Sequence, residues 1–427
     1  VTTSHPTVSS SLSRRRFLAG ISAAGAMAAL SGCGGSAGSA RAEVRFYETK
    51  PEAIPYFTGL AKDFTSSQEH IRVIHDSSSN LSASFVRSNP PDLGCLNYNL
   101  EMARFMERGA LSDLSDMPAA ARIRPDVQQL VNQYATYPGR TSVLPYSMAA
   151  SSVIYNKQIF ADHNLQVPAT WREMIEVCEK LTAAGVTPIY STFRDPWTVA
   201  QGLFDYTVGG MVDVEAFYNR MHELGTEVGP HSEVSFQKTF LEPVTRMMTL
   251  AGYSNEDAPA RGYGDGNTAM AQSKAAMYMQ GPWAFGEIAK AETDVDLGTF
   301  PLPMTDDPAD RKVRVNIDLS LWIPEMSTVK SEARKFLSFL MQPKTQNAYN
   351  KEFLAFGTTK DAPPVTDPRI AQMQDYYDDG RFYMGASQFI PRTIPAENYI
   401  QAIANGASIE GTLRRLDQDW ARLAFRQ

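Results

Sequence analysis

The chain has 427 residues, 43 % hydrophobic and 10 % aromatic, which excludes a disordered or low-complexity protein and leaves room for two hydrophobic cores of ordinary size. Its formal charge is −7, and the three arginines before Cys33 face no acid there, so the remainder is more acidic still. A polyanion is bound with a surplus of Lys and Arg, so nucleic acid is excluded as a partner.

Ser13-Arg14-Arg15-Arg16-Phe17-Leu18 matches a twin-arginine export pattern, and the apolar run from Phe17 to Leu30 suits a signal segment but is short for a spanning helix. Leu30-Ser31-Gly32-Cys33 then looks like a bacterial lipobox, in which Cys33 is lipidated and becomes the new N-terminus. Residues 1–33 are therefore read as a signal and 34–42, rich in Gly, Ser and Ala, as a flexible tether. Gly34-Gly35-Ser36-Ala37-Gly38 fits the nucleophile-elbow pattern, yet no strand precedes it. Cys95 and Cys178 are expected to be buried free thiols, with a disulfide between them as the alternative.

Ala42 to Tyr47 alternates as a first strand, and Ile54, Phe57, Leu60, Ala61 and Phe64 follow at helical spacing. Ile71 to Ile74 and Asp92 to Tyr98 read as further strands, an alternation that writes a parallel sheet with helices on its faces. Leu144 to Lys157 is a long extended block. Thr170 is expected to cap a helix, with Glu173 closing a capping box, Trp171, Met174, Ile175, Cys178 and Leu181 as its apolar stripe, and Gly185 ending it. A strand at Pro188 to Tyr190 leads to Arg194-Asp195-Pro196-Trp197, and residues 205–262 read as helical and polar. Gly264 to Trp283 reads as a helix capped by Asp265 or Asn267, an apolar strand, and a Gly-Pro-Trp corner opening another helix. Val313 to Pro324 is a second long extended block. A helix with Ala333, Phe336, Leu337 and Leu340 on one face stops at Pro343, and the remainder after Thr359 reads as helical.

These blocks resemble, in order, the type 1 extracellular solute-binding proteins of ABC importers, the maltose-binding-protein class. The resemblance rests on Pro91-Asp92, Gly109-Ala110-Leu111-Ser112-Asp113-Leu114, Leu144-Pro145 with Tyr155-Asn156-Lys157, Thr170-Trp171-Arg172-Glu173, the Gly281-Pro282-Trp283 corner, and Phe336-Leu337 through Gln346. The family usually carries glycine where Ser273 stands. The resemblance implies an α/β periplasmic-binding-protein-like fold of type II topology, with two lobes joined by three hinge crossings around a ligand cleft. Carried onto this chain, it places one lobe at 43–149 plus 316–356 and the other at 150–315 plus 357–427. It also implies a monomeric lipoprotein, exported and anchored through Cys33 to the outer face of the bacterial cytoplasmic membrane. Such a protein would deliver a sugar or oligosaccharide to the transmembrane subunits of an ABC permease.

No H-E-x-x-H, no C-x-x-C and no His pair at metal-ligand spacing occurs in the chain, so neither a catalytic centre, a metal nor a cofactor is expected. A sugar presents flat C–H faces and a rim of hydroxyls, matched by aromatic rings and hydrogen-bonding side chains. Trp197 and Trp283 are the candidate rings. Glu48, Asn97, Tyr98 and Asp318, near strand ends or crossings, are candidates for the rim. Asn316 and Asp318 would either satisfy backbone groups at the return crossing or bond the ligand. Lys50, Arg194, Arg261 and Arg392 could instead meet an anion, so a glycerophosphodiester or a polyamine is the alternative ligand; a secreted carbohydrate hydrolase is a further rival.

Overall fold

A computed structural model of the chain describes residues 41–291 and 294–425. The expected signal, the expected lipobox Cys33 and nearly all of the expected tether lie outside those residues. Among the described residues no helix is long and apolar enough to cross a membrane.

Among the described residues ten strands are formed: β1 (Ala42–Tyr47), β2 (Ile71–Asp76), β3 (Leu93–Leu96), β4 (Leu144–Asn156), β5 (Thr187–Tyr190), β6 (Ala275–Gln280), β7 (Leu297–Phe300), β8 (Val313–Trp322), β9 (Phe356–Gly357) and β10 (Phe382–Met384). Seven of them run in the order β2-β1-β3-β8-β4-β6-β5, while β10 pairs with β8, and β7 and β9 pair with β4. β1 lies parallel to β2 and β3, and helix Ile54–Ser66 crosses over between β1 and β2 to bury Phe57, Ala61 and Phe64. The alternation read from Ala42 to Ile74 is thus the first half of an open α/β sheet.

β4 is the strand that makes two lobes from one chain. All 13 of its residues are buried. Its first half pairs with β8, Leu144 opposite Leu321 and Ser151 opposite Arg314. Its second half pairs with β6, Ser152 opposite Gln280 and Tyr155 opposite Met277. β8 spans the same boundary from the other direction. The third crossing is held to β4 by Gly357 opposite Ser147, by the Thr358 hydroxyl donating to Pro145 O at 2.8 Å, and by Gln346 Nε2 donating to Tyr146 O at 2.6 Å.

Two hydrophobic clusters fill the lobes. The smaller joins Phe46, Phe57, Leu93, Cys95, Leu321 and Phe336. The larger runs through Ile154, Met174, Phe204, Phe240, Met277 and Trp420. Buried side chains of the helices Leu100–Glu107 and Pro125–Asn132 join the larger cluster, although sequence order puts them in the first lobe. Cys95 and Cys178 are free buried thiols in separate clusters, so no disulfide joins them.

Local expectations met the structure unevenly. Thr170 Oγ1 accepts the Glu173 N–H at 3.2 Å, but the Glu173 carboxylate takes the N–H of Ala169 instead of that of Thr170. The helix expected to be capped by Asp265 or Asn267 begins earlier, at Tyr263, with Gly262 as its cap; Asp265 reaches back to accept the Gly262 N–H at 2.8 Å. The segment after Thr359 is not mainly helical: most of 360–395 is turns and loop, with β10 lying parallel along the start of β8, and long helices resume only at Ala396–Ala404 and Ile409–Ala424. Ser273 sits at φ 53°, in the left-handed region that glycine occupies without cost.

Candidate functional site

The registers decide which ends of the strands meet. β3 runs toward the crossing, Gly94 opposite Trp322 and Leu96 opposite Ser320, and β1 runs with it. β6 runs toward the crossing from the other lobe, ending with Gln280 beside Ser152, and β5 is parallel to it. Both lobes therefore turn the carboxyl ends of their parallel strands to the same boundary, where open α/β sheets bind ligands.

A cavity of about 1010 Å³ lies at this level. One wall is the turn after β3 and the helix Leu100–Glu107, presenting Asn97, Asn99, Glu101 and Arg104. Asn99 caps that helix, its Oδ1 accepting the N–H groups of Glu101 (3.0 Å) and Met102 (3.2 Å). The floor holds Gln201, Asn316 and Ser387, and the far wall is the segment from Gln388 to Pro395 with the first turn of the helix Ala396–Ala404, Ile390, Pro391, Ile394 and Pro395 being its apolar part. A second cavity of about 360 Å³, lined by Tyr47, Thr49, Ser82 and Leu96, shares Asn97, Asn99 and Glu101 with the first. Arg392 stands 3.9 Å from Glu101, bringing the two walls together at the mouth.

Gln201 owes its position to a break in its helix. Ala200–Phe204 forms a widened turn with Gly202 at φ −95°, ψ −105°, where a Cβ would come within 2.5 Å of the Met279 carbonyl oxygen. Only a residue without a side chain lets this turn lie on β6. Such π-type turns recur at functional sites because they re-aim one residue.

Of the residues singled out from sequence, Asn97, Asn316 and Arg392 line the large cavity. Trp197 and Trp283 are partly exposed at the carboxyl ends of β5 and β6, outside that lining. The Trp283 indole lies over Gly281, where a Cβ would strike the ring, and its Nε1 donates to Gln280 Oε1 at 3.2 Å. Trp197 leans on Tyr263, ring centres 5.0 Å apart.

Three expected rim groups are placed elsewhere. Glu48 is fully buried, its Oε1 accepting the Lys50 N–H at 2.5 Å and its Oε2 3.5 Å from His75. Tyr98 points its hydroxyl at Met106 Sδ, 3.8 Å away, and packs edge-on to Tyr134; burial pushes its phenol well above the ordinary range. Asp318 accepts from Lys50 Nζ (2.7 Å), Ser147 Oγ (3.0 Å) and Tyr349 OH (3.0 Å). It serves side chains of the crossing, neither backbone groups nor an open rim. Asn99, Gln201, Ser387 and Gln388 were not singled out. Asn99 carried a signal, as the cap of a helix after a strand; the other three had none.

The cations weighed for an anionic ligand are mostly engaged. Lys50 pairs with Asp318, Arg194 stands near Asp195 and Asp265, and Arg261 pairs with Asp257 at 2.6 Å. Among the described residues no group of three or more His, Cys, Asp or Glu could hold a metal ion.

Residues 49–347 match the model of the bacterial extracellular solute-binding proteins. The chain belongs to that family. This solute-binding protein is 26 % identical over 325 residues to an ABC transporter extracellular-binding protein of Pyrococcus horikoshii, covering 72 % of this chain and 69 % of the relative. It is 24 % identical over 312 residues to the multiple sugar-binding protein of Streptococcus mutans, covering 72 % of each. Its fold is that of RafE from Streptococcus pneumoniae in the apo form (TM-score 0.77, 18 % identity, 90 % of this chain and 98 % of that one). RafE in complex with raffinose superposes with a TM-score of 0.74, also at 18 % identity, over 90 % of this chain and 99 % of that one. The two-lobe solute-binding fold, type II in this chain by its 2-1-3-8-4 strand order, is therefore shared with RafE.

Proposed function

We propose that this solute-binding protein captures a neutral sugar or oligosaccharide in the interlobe cleft and delivers it to the permease of an ABC importer. The observation that carries the reading is the make-up of the cavity wall. Six carboxamides line it (Asn97, Asn99, Gln201, Asn316, Gln388 and Asn398), and its two acids, Glu101 and Glu397, are balanced by Arg104 and Arg392. A surface of amides with no net charge suits a hydroxyl-rich neutral ligand better than a phosphodiester or a polyamine, each of which needs an excess of opposite charge. The size, at the top of the ~300–1,000 Å³ range of small-molecule sites, suits an oligosaccharide.

Trp197 and Trp283, at the carboxyl ends of β5 and β6, are assigned to stack on sugar faces once the lobes close. The moving bodies are residues 43–149 plus 316–356 and 150–315 plus 357–427, with the helices Leu100–Glu107 and Pro125–Asn132 packed where the two meet. Cys33 supplies the lipid anchor, and the protein acts as a monomer without a cofactor or a catalytic step.

The test is a thermal-shift screen of the full chain against raffinose, maltotriose and glucose, with spermidine and glycerophosphocholine as the competing classes. A true ligand at 100 times its dissociation constant adds about 2.7 kcal/mol. Trp283→Ala is expected to abolish the saccharide shift in a folded protein. A shift with spermidine or glycerophosphocholine and none with any saccharide sinks the carbohydrate reading.

A further inference from the structure

Behind the cavity floor lies an ion pair that nothing in the binding reading requires. Arg314 and Asp205 both have fully buried side chains. Arg314 donates to Asp205 Oδ2 through Nε (3.2 Å) and Nη2 (3.1 Å), and its Nη1 reaches forward to Asn316 Oδ1 at 3.1 Å. Asp205 in turn accepts the Ser387 N–H on Oδ1 (2.8 Å) and the Ser387 hydroxyl on Oδ2 (2.9 Å). Gly385 is the residue that lets this happen: a Cβ there would collide with the Asp205 carboxylate and stand 2.8 Å from Arg314 Nε.

Such a pair is expensive to bury and is weak evidence for stability by itself. What it does here is fix polarity. A guanidinium has donors only, so the atom of Asn316 that meets it must be the oxygen, and the amide must turn its N–H₂ away from the guanidinium. An ionised carboxylate has acceptors only, so the Ser387 hydroxyl must spend its proton on Asp205 and keeps only lone pairs for the cavity. Asn316 and Ser387 both line the cavity.

We propose that the buried Arg314–Asp205 pair is a positioning device for ligand selection, holding Asn316 as an obligate donor and Ser387 as an obligate acceptor in the cleft floor. The matching ligand feature is a pair of neighbouring hydroxyls, one accepting from Asn316 Nδ2 and the next donating to Ser387 Oγ. The phosphate of a phosphodiester, or a carboxylate, can take the Asn316 donor but has nothing to give Ser387, and an ammonium group has the reverse deficit. Arg314 and Asp205 touch no ligand themselves. The inference rests on the carbohydrate reading above, and it adds which residues select the hydroxyl pattern and which residues hold them.

The experiment is titration calorimetry of the full chain with raffinose, maltotriose and glucose, using whichever binds most tightly as the probe for all variants. Asn316→Asp, which turns the donor into an acceptor at constant shape, and Ser387→Ala, which deletes the acceptor, should each weaken the probe by about tenfold, the worth of one hydrogen bond to a ligand. The positioning role is read by a double-mutant cycle. Arg314→Lys cannot hold Asn316 and Asp205 together, so it should weaken the probe about tenfold in the native background but less than twofold in Asn316→Ala. A purely structural role would give the same factor in both backgrounds and would overturn the positioning assignment. Asn316→Asp and Ser387→Ala leave both members of the buried pair in place, so they test the donor and acceptor roles even where Arg314→Lys fails to fold. Probe affinity unchanged within twofold in both of those variants overturns this inference while leaving the carbohydrate reading intact. No binding of any saccharide by the native chain overturns both.

Discussion

Replacing Asp318 by alanine removes the anion from a buried cluster where β8 crosses between lobes. Asp318 and Lys50 are 2.7 Å apart with side chains only 8 % and 22 % exposed, so the cation left behind has little water to turn to. Breaking one partner of a buried pair costs about 3–5 kcal/mol. Glu52, 3.6 Å from Lys50 Nζ, stays to share its charge, which puts this site at the low end, about 3 kcal/mol. The hydroxyls of Ser147 and Tyr349 also lose their acceptor, adding about 1 kcal/mol together once non-additivity is allowed for. Asp318→Ala is thus expected to cost about 4 kcal/mol, and Asp318→Asn, which keeps an acceptor for those donors, about half that. Urea unfolding followed by tryptophan fluorescence measures both, provided the slope is unchanged.

The pH dependence has a defined sign. Burial alone would lower the Lys50 value; the Asp318 carboxylate, helped by Glu52, outweighs it and leaves Lys50 raised above its ordinary 10.5. A raised folded value gives stability that is complete below 10.5 and lost as pH rises through the folded value. The difference between native and Asp318→Ala proteins should therefore be flat around neutrality and, on the alkaline side, shrink as Lys50 loses its proton. Because Asp318 is outside the cavity lining, affinity per folded molecule should stay within about twofold. A cost below 1 kcal/mol, or loss of ligand binding in a folded variant, would refute this reasoning and return Asp318 to the site.

Trp171 lies half-buried on the larger core with the Arg246 guanidinium 5.2 Å above its ring, so Trp171→Ala should cost about 2 kcal/mol in a melt and leave saccharide affinity per folded molecule intact. Lost binding in well-folded Trp171→Ala would reverse that assignment. Ser273 carries left-handed strain of about 1 kcal/mol and receives a hydrogen bond from Asn156 Nδ2 at 2.9 Å. Ser273→Gly should thus unfold close to the native protein while Ser273→Ala is about 1 kcal/mol less stable than Ser273→Gly; equal stabilities would show that the φ angle costs nothing. Burial holds Cys178 up at about 12 and Cys95 well above the ordinary thiol range, so neither should react with a thiol reagent at neutral pH until urea is added. Fast labelling of either residue in the native protein contradicts its placement.

Much of the architecture was legible because it depends on short-range chemistry. The strand at Ala42 to Tyr47, the apolar spacing of Ile54 to Phe64, the Thr170 cap and the two long extended blocks each lie within a span where period and punctuation can be read directly. The cleft floor was another matter. Ser387 is placed by Asp205, 182 residues away, and the loop beneath it by the Tyr218 hydroxyl donating to Ala386 O across 168 residues. A segment whose backbone is satisfied by such distant partners has no local period, which is why 360–395 reads as helical from its sequence and is not.

The same contrast divides the candidate site residues. Glu48, Tyr98 and Asp318 are polar residues near strand ends or crossings, which is all a sequence can say of them; packing buried them against His75, Met106 and Lys50. Asn97 and Asn316 differ in nothing visible along the chain, yet they line the cavity.

By itself the sequence determined the family, the strand-helix alternation of both lobes and the two long strands that join them, since those follow from hydrophobic period, caps and ordered motifs. Only the tertiary structure decided which polar side chains open onto the cleft and which are spent inside the protein. The reason is that a hydrogen-bonding group is free for a ligand only when no partner elsewhere in the fold has claimed it, and that partner can be as near as Met106 is to Tyr98 or as far as Lys50 is from Asp318, 268 residues along the chain.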